Sequence, residues 1–128
     1  MSPLTAEWID KAEADLVVAQ RELRARNFPS YDASCFHAQQ CAEKYLKARL
    51  QEDGVAFPFT HNLTALLQLL LPAYPTWNLL HPSVQVLSNY AVAYRYPGNT
   101  AVRSDARDAV RLCREVREAV RISFSLPL

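Results

Sequence analysis

Glycine, cysteine and long apolar runs are scarce in this chain, and each shortage excludes a class of protein. Only two glycines occur in 128 residues, which argues against an all-β protein built on tight turns and against a glycine-rich phosphate loop. No apolar run approaches the roughly 20 residues that a membrane-spanning helix needs. The first residues lack a basic segment followed by an apolar one, so we expect no signal peptide.

The chain also lacks a large excess of positive or negative charge, and it lacks an even set of cysteines that could pair. The formal net charge is +1, so no overall attraction draws the chain to nucleic acid or membrane, and a basic site has to come from local clustering. The cysteines are Cys35, Cys41 and Cys113. Because the first two lie six residues apart, they face different sides of a helix and cannot pair with each other. An odd number of thiols used as small core residues fits a reducing, cytoplasmic location.

Helical periodicity is what the chain has in abundance. Half of its residues are apolar, and they recur at three- and four-residue spacing. Breaks at proline, glycine and asparagine predict helices over about residues 4–26, 30–54, 63–71, 82–95 and 100–124. Ser2, Asn62 and His81 are the predicted N-terminal caps, and Gly54 is a predicted left-handed cap. We therefore predict one all-α domain over residues 1–128, an up-and-down helical bundle of about five helices, four of them major.

The segment from Ser34 to Leu50 has the most distinctive pattern. It is a seam of alanine, cysteine and large apolar residues bordered by amides and charges, which is typical of a helix at the centre of a bundle. Its run Cys-Phe-His-Ala-Gln-Gln-Cys-Ala-Glu-Lys-Tyr-Leu-Lys-Ala resembles the signature helix of the HEPN family. Three other segments are similar to parts of that family and occur in the family's order along the chain. Trp8 with residues 11–16 precedes the run, and residues 57–63 and 95–98 come after it.

The resemblance implies a small helical domain that pairs with a second copy of itself. It also implies nucleotide binding and a small nucleotidyltransferase as the usual partner, in toxin–antitoxin-like pairs. An apolar strip on the first predicted helix, formed by Ala14, Val17 and Val18, is wider than one bundle neighbour would cover. Since exposed apolar strips often mark interfaces, we expect a homodimer with a two-fold interface.

One departure from the family concerns catalysis. Active HEPN ribonucleases resemble one another in an Arg, then four to six residues, then a His, a pair that cuts RNA without metal. Arg95 matches the Arg, but residues 96–102 contain no His, and none occurs after His81. Serine, threonine and asparagine cannot replace an imidazole that titrates near neutral pH. We therefore expect that the purified protein does not cleave RNA by this pair.

No metal or cofactor site is indicated. His37, His61 and His81 fall on different predicted elements, and no His-x-x-x-His or Cys-x-x-Cys pattern occurs, although such spacing is typical of protein zinc ligands. The histidines are therefore interpreted as hydrogen-bonding structural residues.

A binding site is predicted around Arg95 instead. Its guanidinium suits phosphate, and Tyr96, like Tyr94, offers a stacking face for a base. Lys44 and Lys47 share one side of the second helix, and His61 lies near a helix start. We expect Arg95, Tyr96, both lysines and His61 to converge on a groove between the second and fourth helices that binds a nucleotide or an RNA end. In the alternative, Arg95 pairs with a buried acid such as Glu43, and both lysines are solvated.

Three functions therefore remain open. The first is a non-catalytic binding module for nucleotide or RNA, a homodimer that acts with a nucleotidyltransferase-type partner. The second is an endoribonuclease toxin with a rearranged active site, independent of metal and lacking the usual His. The third is a purely structural interaction domain.

Overall fold

The computed structural model describes residues 1–128 and is all-helical. Its five α-helices and one short 3₁₀ segment confirm the predicted helical bundle. No helix has both the length and the apolar character required to cross a membrane. The elements are α1 Pro3–Arg24, α2 Tyr31–Glu52, α3 Leu63–Leu70, a 3₁₀ helix Pro75–Leu80, α4 His81–Ala93 and α5 Arg103–Ser123.

Most helix ends follow the expected capping chemistry. The backbone N–H of the third helical residue donates to Ser2 Oγ at 3.1 Å in α1 and to Asn62 Oδ1 at 3.2 Å in α3. Gly54 has a φ of +68° just after α2, a conformation that glycine adopts without strain. The prediction that His81 caps α4 is wrong, because His81 is its first helical residue. The 3₁₀ helix runs directly into α4, and Asn78 O accepts the His81 N–H.

The 3₁₀ helix also corrects one packing prediction. The apolar residues at positions 77, 79 and 80 predict that this connection packs down onto the bundle through all three. Trp77 is buried and stacks on Tyr74 with ring centroids 4.3 Å apart, and Leu80 is half-buried, but Leu79 is 85% exposed. Because a 3₁₀ helix repeats every three residues, positions 77 and 80 share a side that position 79 does not.

Helix α2 lies at the centre of the bundle. Thirteen of its 22 residues are buried, and it contacts each of the other four helices. Alanines on the facing surfaces of α1 and α5, including Ala12, Ala19, Ala106 and Ala109, are fully buried, so these helices approach α2 closely. The polar side chains of so central a helix must either find partners inside the protein or reach a cleft.

The three cysteines are free and buried, as the sequence predicted. Burial is the main cause that raises the pKa of Cys35 to about 12. Burial likewise raises the pKa of Cys41, and its neighbour Cys113 on α5 adds to that effect. Thiols of this kind are weak nucleophiles at neutral pH, so their role is packing.

Candidate functional site

One cleft of the bundle combines aromatic rings with basic groups, and we call it the open cleft. It lies between the first half of α2 and the end of α4 and encloses about 310 Å³. Tyr90 and Tyr94, one helical turn apart on α4, stack with centroids 5.6 Å apart. Such aromatic faces beside cations are typical of sites where bases stack. The lining residues are Asp32, Ala33, Phe36, His37, Tyr90, Tyr94 and Arg95.

Arg95 is exposed at this cleft, and no carboxylate lies within ion-pair distance of its guanidinium. Its Cζ lies 5.7 Å from the ring centroid of Phe36, a cation–π arrangement. The alternative in which Arg95 pairs with Glu43 is wrong, because Glu43 bonds to His61 and Lys47. The donors of Arg95 are therefore available to a ligand.

His37 enters the open cleft from α2 and is held by an acid on α1. Its Nδ1 donates to Asp15 Oδ1 at 2.8 Å, and Lys44 Nζ donates to Asp15 Oδ2 at 2.6 Å. Because a carboxylate only accepts hydrogen bonds, this contact fixes the proton on Nδ1 and leaves the lone pair on Nε2. The prediction of a hydrogen-bonded His37 is confirmed, with the side chain only partly buried.

Two acids, Asp32 and Asp105, lie near the open cleft, and their negative charges are felt by Tyr94. Asp32 Oδ1 accepts the Ala101 N–H at 2.7 Å, and Asp105 Oδ2 accepts the Val102 N–H at 2.9 Å, so both carboxylates are used to fix the start of α5. Burial raises the pKa of Tyr90 to about 12 and also raises the pKa of Tyr94. Both tyrosines therefore stay neutral at physiological pH.

A second polar group, the sealed cluster, consists of Gln39, Glu43, Lys47 and His61. Lys47 Nζ donates to Glu43 Oε2 at 3.0 Å, and His61 Nδ1 donates to Glu43 Oε1 at 2.8 Å. Gln39 Nε2 donates to the His61 carbonyl at 3.0 Å, which fixes the loop before α3 on α2. The side chains of Lys47 and Glu43 are only 5% and 4% exposed, whereas that of His61, at the edge of the cluster, is 54% exposed. Its ammonium lies 5.6–6.0 Å from three ring centroids, those of Trp8, Phe57 and Phe59.

The structure does not bring the five predicted site residues into one groove. Arg95 lines the open cleft, Lys44 reaches it only through Asp15, and Tyr96 is 65% exposed beyond it. Lys47 and His61 belong to the sealed cluster. The alternative in which both lysines are solvated is wrong for Lys47, because aromatic side chains of α1 and of the loop before α3 cover it.

Sequence reasoning missed part of the open cleft. Tyr90 stands at i,i+4 spacing before Tyr94, and this local signal could have extended the predicted site further along α4. The contact between His37 and Asp15 joins two helices across 22 positions. No local spacing in the sequence indicates such a contact.

A further ion pair ties α1 to α5. Arg117 donates through Nε and Nη2 to the two carboxylate oxygens of Glu13, both at 2.9 Å. This contact is the main cause that lowers the pKa of Glu13, and it raises the pKa of Arg117. The pair lies apart from the open cleft and serves to hold the bundle together.

The all-helical fold and the central helix α2 are those of a HEPN domain. The model of the family described as "HEPN domain" matches residues 5–123, so the chain belongs to this family. It is 32% identical over 98 residues to "Putative toxin MJ1304" of Methanocaldococcus jannaschii, a match that covers 70% of this chain. The chain spans only 61% of the length of that curated relative.

Solved structures support the fold assignment. TT1696 from Thermus thermophilus superposes with a TM-score of 0.79 at 25% identity, over 91% of this chain and 95% of that one. A HEPN domain protein of Thermotoga maritima, tm0613, superposes with a TM-score of 0.75 at 24% identity, over 93% and 98% of the two chains.

Proposed function

We propose that this HEPN domain is a binding module that takes a nucleotide or an RNA segment in the open cleft. The observation that carries this proposal is Arg95, an exposed guanidinium without a carboxylate partner beside the rings of Phe36, Tyr90 and Tyr94. A guanidinium can give two parallel hydrogen bonds to a phosphate. A base attached to that phosphate can stack on a neighbouring ring.

Binding of this kind requires no catalysis, and the imidazole that the family's ribonucleases carry after the Arg is absent here. With one free arginine in the cleft, we expect modest affinity and a shallow dependence on salt, because few counterions are released. The relative named as a toxin is consistent with a toxin–antitoxin-like setting.

The proposal is tested by fluorescence anisotropy with a labelled single-stranded RNA. We expect the wild type to bind and Arg95→Ala to weaken binding about tenfold or more, since a hydrogen bond to a charged group contributes about 1.5–3 kcal/mol. Arg114→Ala is the matched control, because Arg114 is an exposed arginine on the outer side of α5. Binding that both variants weaken equally, or that neither weakens, would contradict a site at Arg95.

We also infer a cytoplasmic homodimer that acts with a nucleotidyltransferase-type protein. Support for the dimer comes from the strip on α1, where Ala14 and Val17 are exposed and Val18 is half-buried. Val17 is 52% exposed, although a valine gains stability when it is buried. We expect light scattering to give the mass of a dimer and Val17→Glu to give that of a monomer. A monomeric wild type at tens of micromolar would disprove the dimer.

A further inference from the structure

We propose that a second cleft, the neutral cleft, binds an adenine base of the RNA strand whose phosphate Arg95 holds. This inference rests on the proposed function, since that strand first has to bind at the open cleft. The neutral cleft lies between α4 and the start of α3, and it shares no lining residue with the open cleft. It would give the binding module a preference for one base.

The lining of the neutral cleft is polar but contains no carboxylate, lysine or arginine. The cleft encloses about 620 Å³, and its lining residues fall within 60–64 and 85–92. Its apolar part consists of Ala91, which is buried, and Val92. A charged ligand would lose hydration there without meeting an opposite charge. The cleft therefore suits an uncharged ligand that has several hydrogen-bonding atoms.

Three lining side chains are each fixed by one hydrogen bond, which leaves a defined set of free groups. Asn62 Oδ1 accepts the Ala65 N–H at 3.2 Å, so the hydrogens on Asn62 Nδ2 remain to donate. Ser88 Oγ accepts the Leu63 N–H at 3.0 Å and keeps its own proton. His61 Nδ1 donates within the sealed cluster, so the Nε2 lone pair is left as an acceptor. Donors and an acceptor thus lie side by side, as the edge of a base requires, and they are ordered before it binds.

Gln85 and Asn89 are the groups that select adenine. They stand one turn apart on α4, both are exposed, and neither side-chain amide bonds to another protein group. A carboxamide carries a donor and an acceptor together. It can therefore accept from the N6 amino group of adenine and donate to N7, which is the pairing that asparagine and glutamine make with this base.

An aromatic ring at the rim and the position of Arg95 link this cleft to RNA. The Phe59 side chain is 98% exposed, and its ring centroid lies 6.2 Å from that of His61. A base that stacks on this ring removes apolar surface from water. Ala91 lies one helical turn before Arg95, a rise of about 5.4 Å. A strand that is held at Arg95 by a phosphate therefore has the neutral cleft within reach.

The test compares labelled homopolymers of adenine, uracil and cytosine of equal length by fluorescence anisotropy. We expect the wild type to bind the adenine strand about tenfold more tightly than the other two, because a bidentate pair to a base edge discriminates by roughly that factor. The double variant Gln85→Ala with Asn89→Ala should lose this preference. It should still bind the uracil strand within about twofold of the wild type, since contacts to phosphate carry no base preference. Gln68→Ala is the matched control, because Gln68 is an exposed amide on α3 outside the cleft.

Two further measurements separate the two clefts. Arg95→Ala should weaken the binding of all three homopolymers by the same factor and leave their order unchanged. Adenosine, which carries no phosphate, should shift the side-chain amide signals of Asn62, Gln85 and Asn89 in NMR spectra and leave that of the control amide unchanged. Melting curves of each variant establish that it is folded.

The outcomes distinguish this inference from the proposed function. A wild type that binds all three homopolymers equally, in a manner that depends on Arg95, overturns the inference and leaves the binding module intact. Failure to bind any homopolymer overturns both. A preference for uracil or cytosine, or an adenine preference that survives in the double variant or is lost in Gln68→Ala, would overturn the role of the neutral cleft. Adenosine shifts confined to the residues of the open cleft would overturn it as well.

Discussion

Two similar triads, each made of a histidine, a lysine and a carboxylate, include residues of α2 and differ in their surroundings. In one, His37 and Lys44 share Asp15. In the other, His61 and Lys47 share Glu43. Each imidazole Nδ1 lies 2.8 Å from its carboxylate, and each lysine binds the other oxygen of that carboxylate. Lys47 lies under three aromatic rings at 5% exposure, whereas the Lys44 side chain is 22% exposed and its triad borders the cleft of Arg95.

The difference shows that residue type does not determine the role of a polar group. Charges that are removed from water are stable only while every partner is present, so the sealed cluster serves to fix the loop before α3. Charges beside a solvent-filled cleft lose less hydration and can exchange their partners for a ligand. The open cleft is therefore the functional candidate.

The largest expected effect is on stability in the sealed cluster. Glu43→Ala leaves the buried ammonium of Lys47 without its carboxylate and His61 without its acceptor. We expect the free energy of unfolding to fall by about 3–5 kcal/mol, measured by urea denaturation, because an uncompensated charge then remains buried.

Two control variants accompany Glu43→Ala, one in the same cluster and one at a surface acid. The double variant Glu43→Leu with Lys47→Met should recover much of the loss, since apolar replacement of both members of a buried pair is often neutral. Glu118→Ala, an exposed change on α5, should stay within about 0.5 kcal/mol of the wild type. A loss below about 1 kcal/mol in Glu43→Ala would contradict the structural role of the cluster.

A smaller effect, dependent on pH, is expected at the Glu13–Arg117 pair. Because Arg117 lowers the pKa of Glu13 below its ordinary 4.5, the unfolded chain binds this proton more readily than the folded one. The pair therefore stabilises the fold above about pH 4.5, and this contribution is lost as the pH falls through the lower folded pKa. The stability gap between wild type and Glu13→Gln, from urea melts at pH 3–7, should narrow toward low pH. An equally large gap at pH 3 would contradict the pairing.

The smallest effect on stability is expected at Arg95 in the open cleft. Its guanidinium is exposed and has no carboxylate partner, so Arg95→Ala should change the free energy of unfolding by about 0.5 kcal/mol or less. Thermal melts of both proteins, with and without RNA, measure this. We expect RNA to raise the Tm of the wild type and not that of the variant. A loss of about 3 kcal/mol or more would assign Arg95 to the structure instead.

The helices and most caps could be predicted from the sequence because they depend on local periodicity and on single capping side chains. The place of Arg95 could be predicted for the same reason, since it follows the apolar pattern of α4. The separation of Lys44 from Lys47 could not be predicted. They are three residues apart on one helix, yet Lys44 meets Asp15 of α1 while Lys47 is covered by Phe57 and Phe59 from a loop. Such neighbours depend on tertiary packing, which no local pattern encodes.

The buried thiols make it possible to measure opening of the bundle by chemical labelling. A maleimide has nothing to modify while Cys35, Cys41 and Cys113 are all inaccessible. The rate at which it reacts with the protein therefore measures how often the bundle opens. Cys35 precedes Phe36 of the open cleft, whereas Cys41 and Cys113 lie between α2 and α5. Mass spectrometry counts the maleimide labels on each protein molecule. One label indicates that the helices separated locally, and three labels indicate complete unfolding, without any engineered probe.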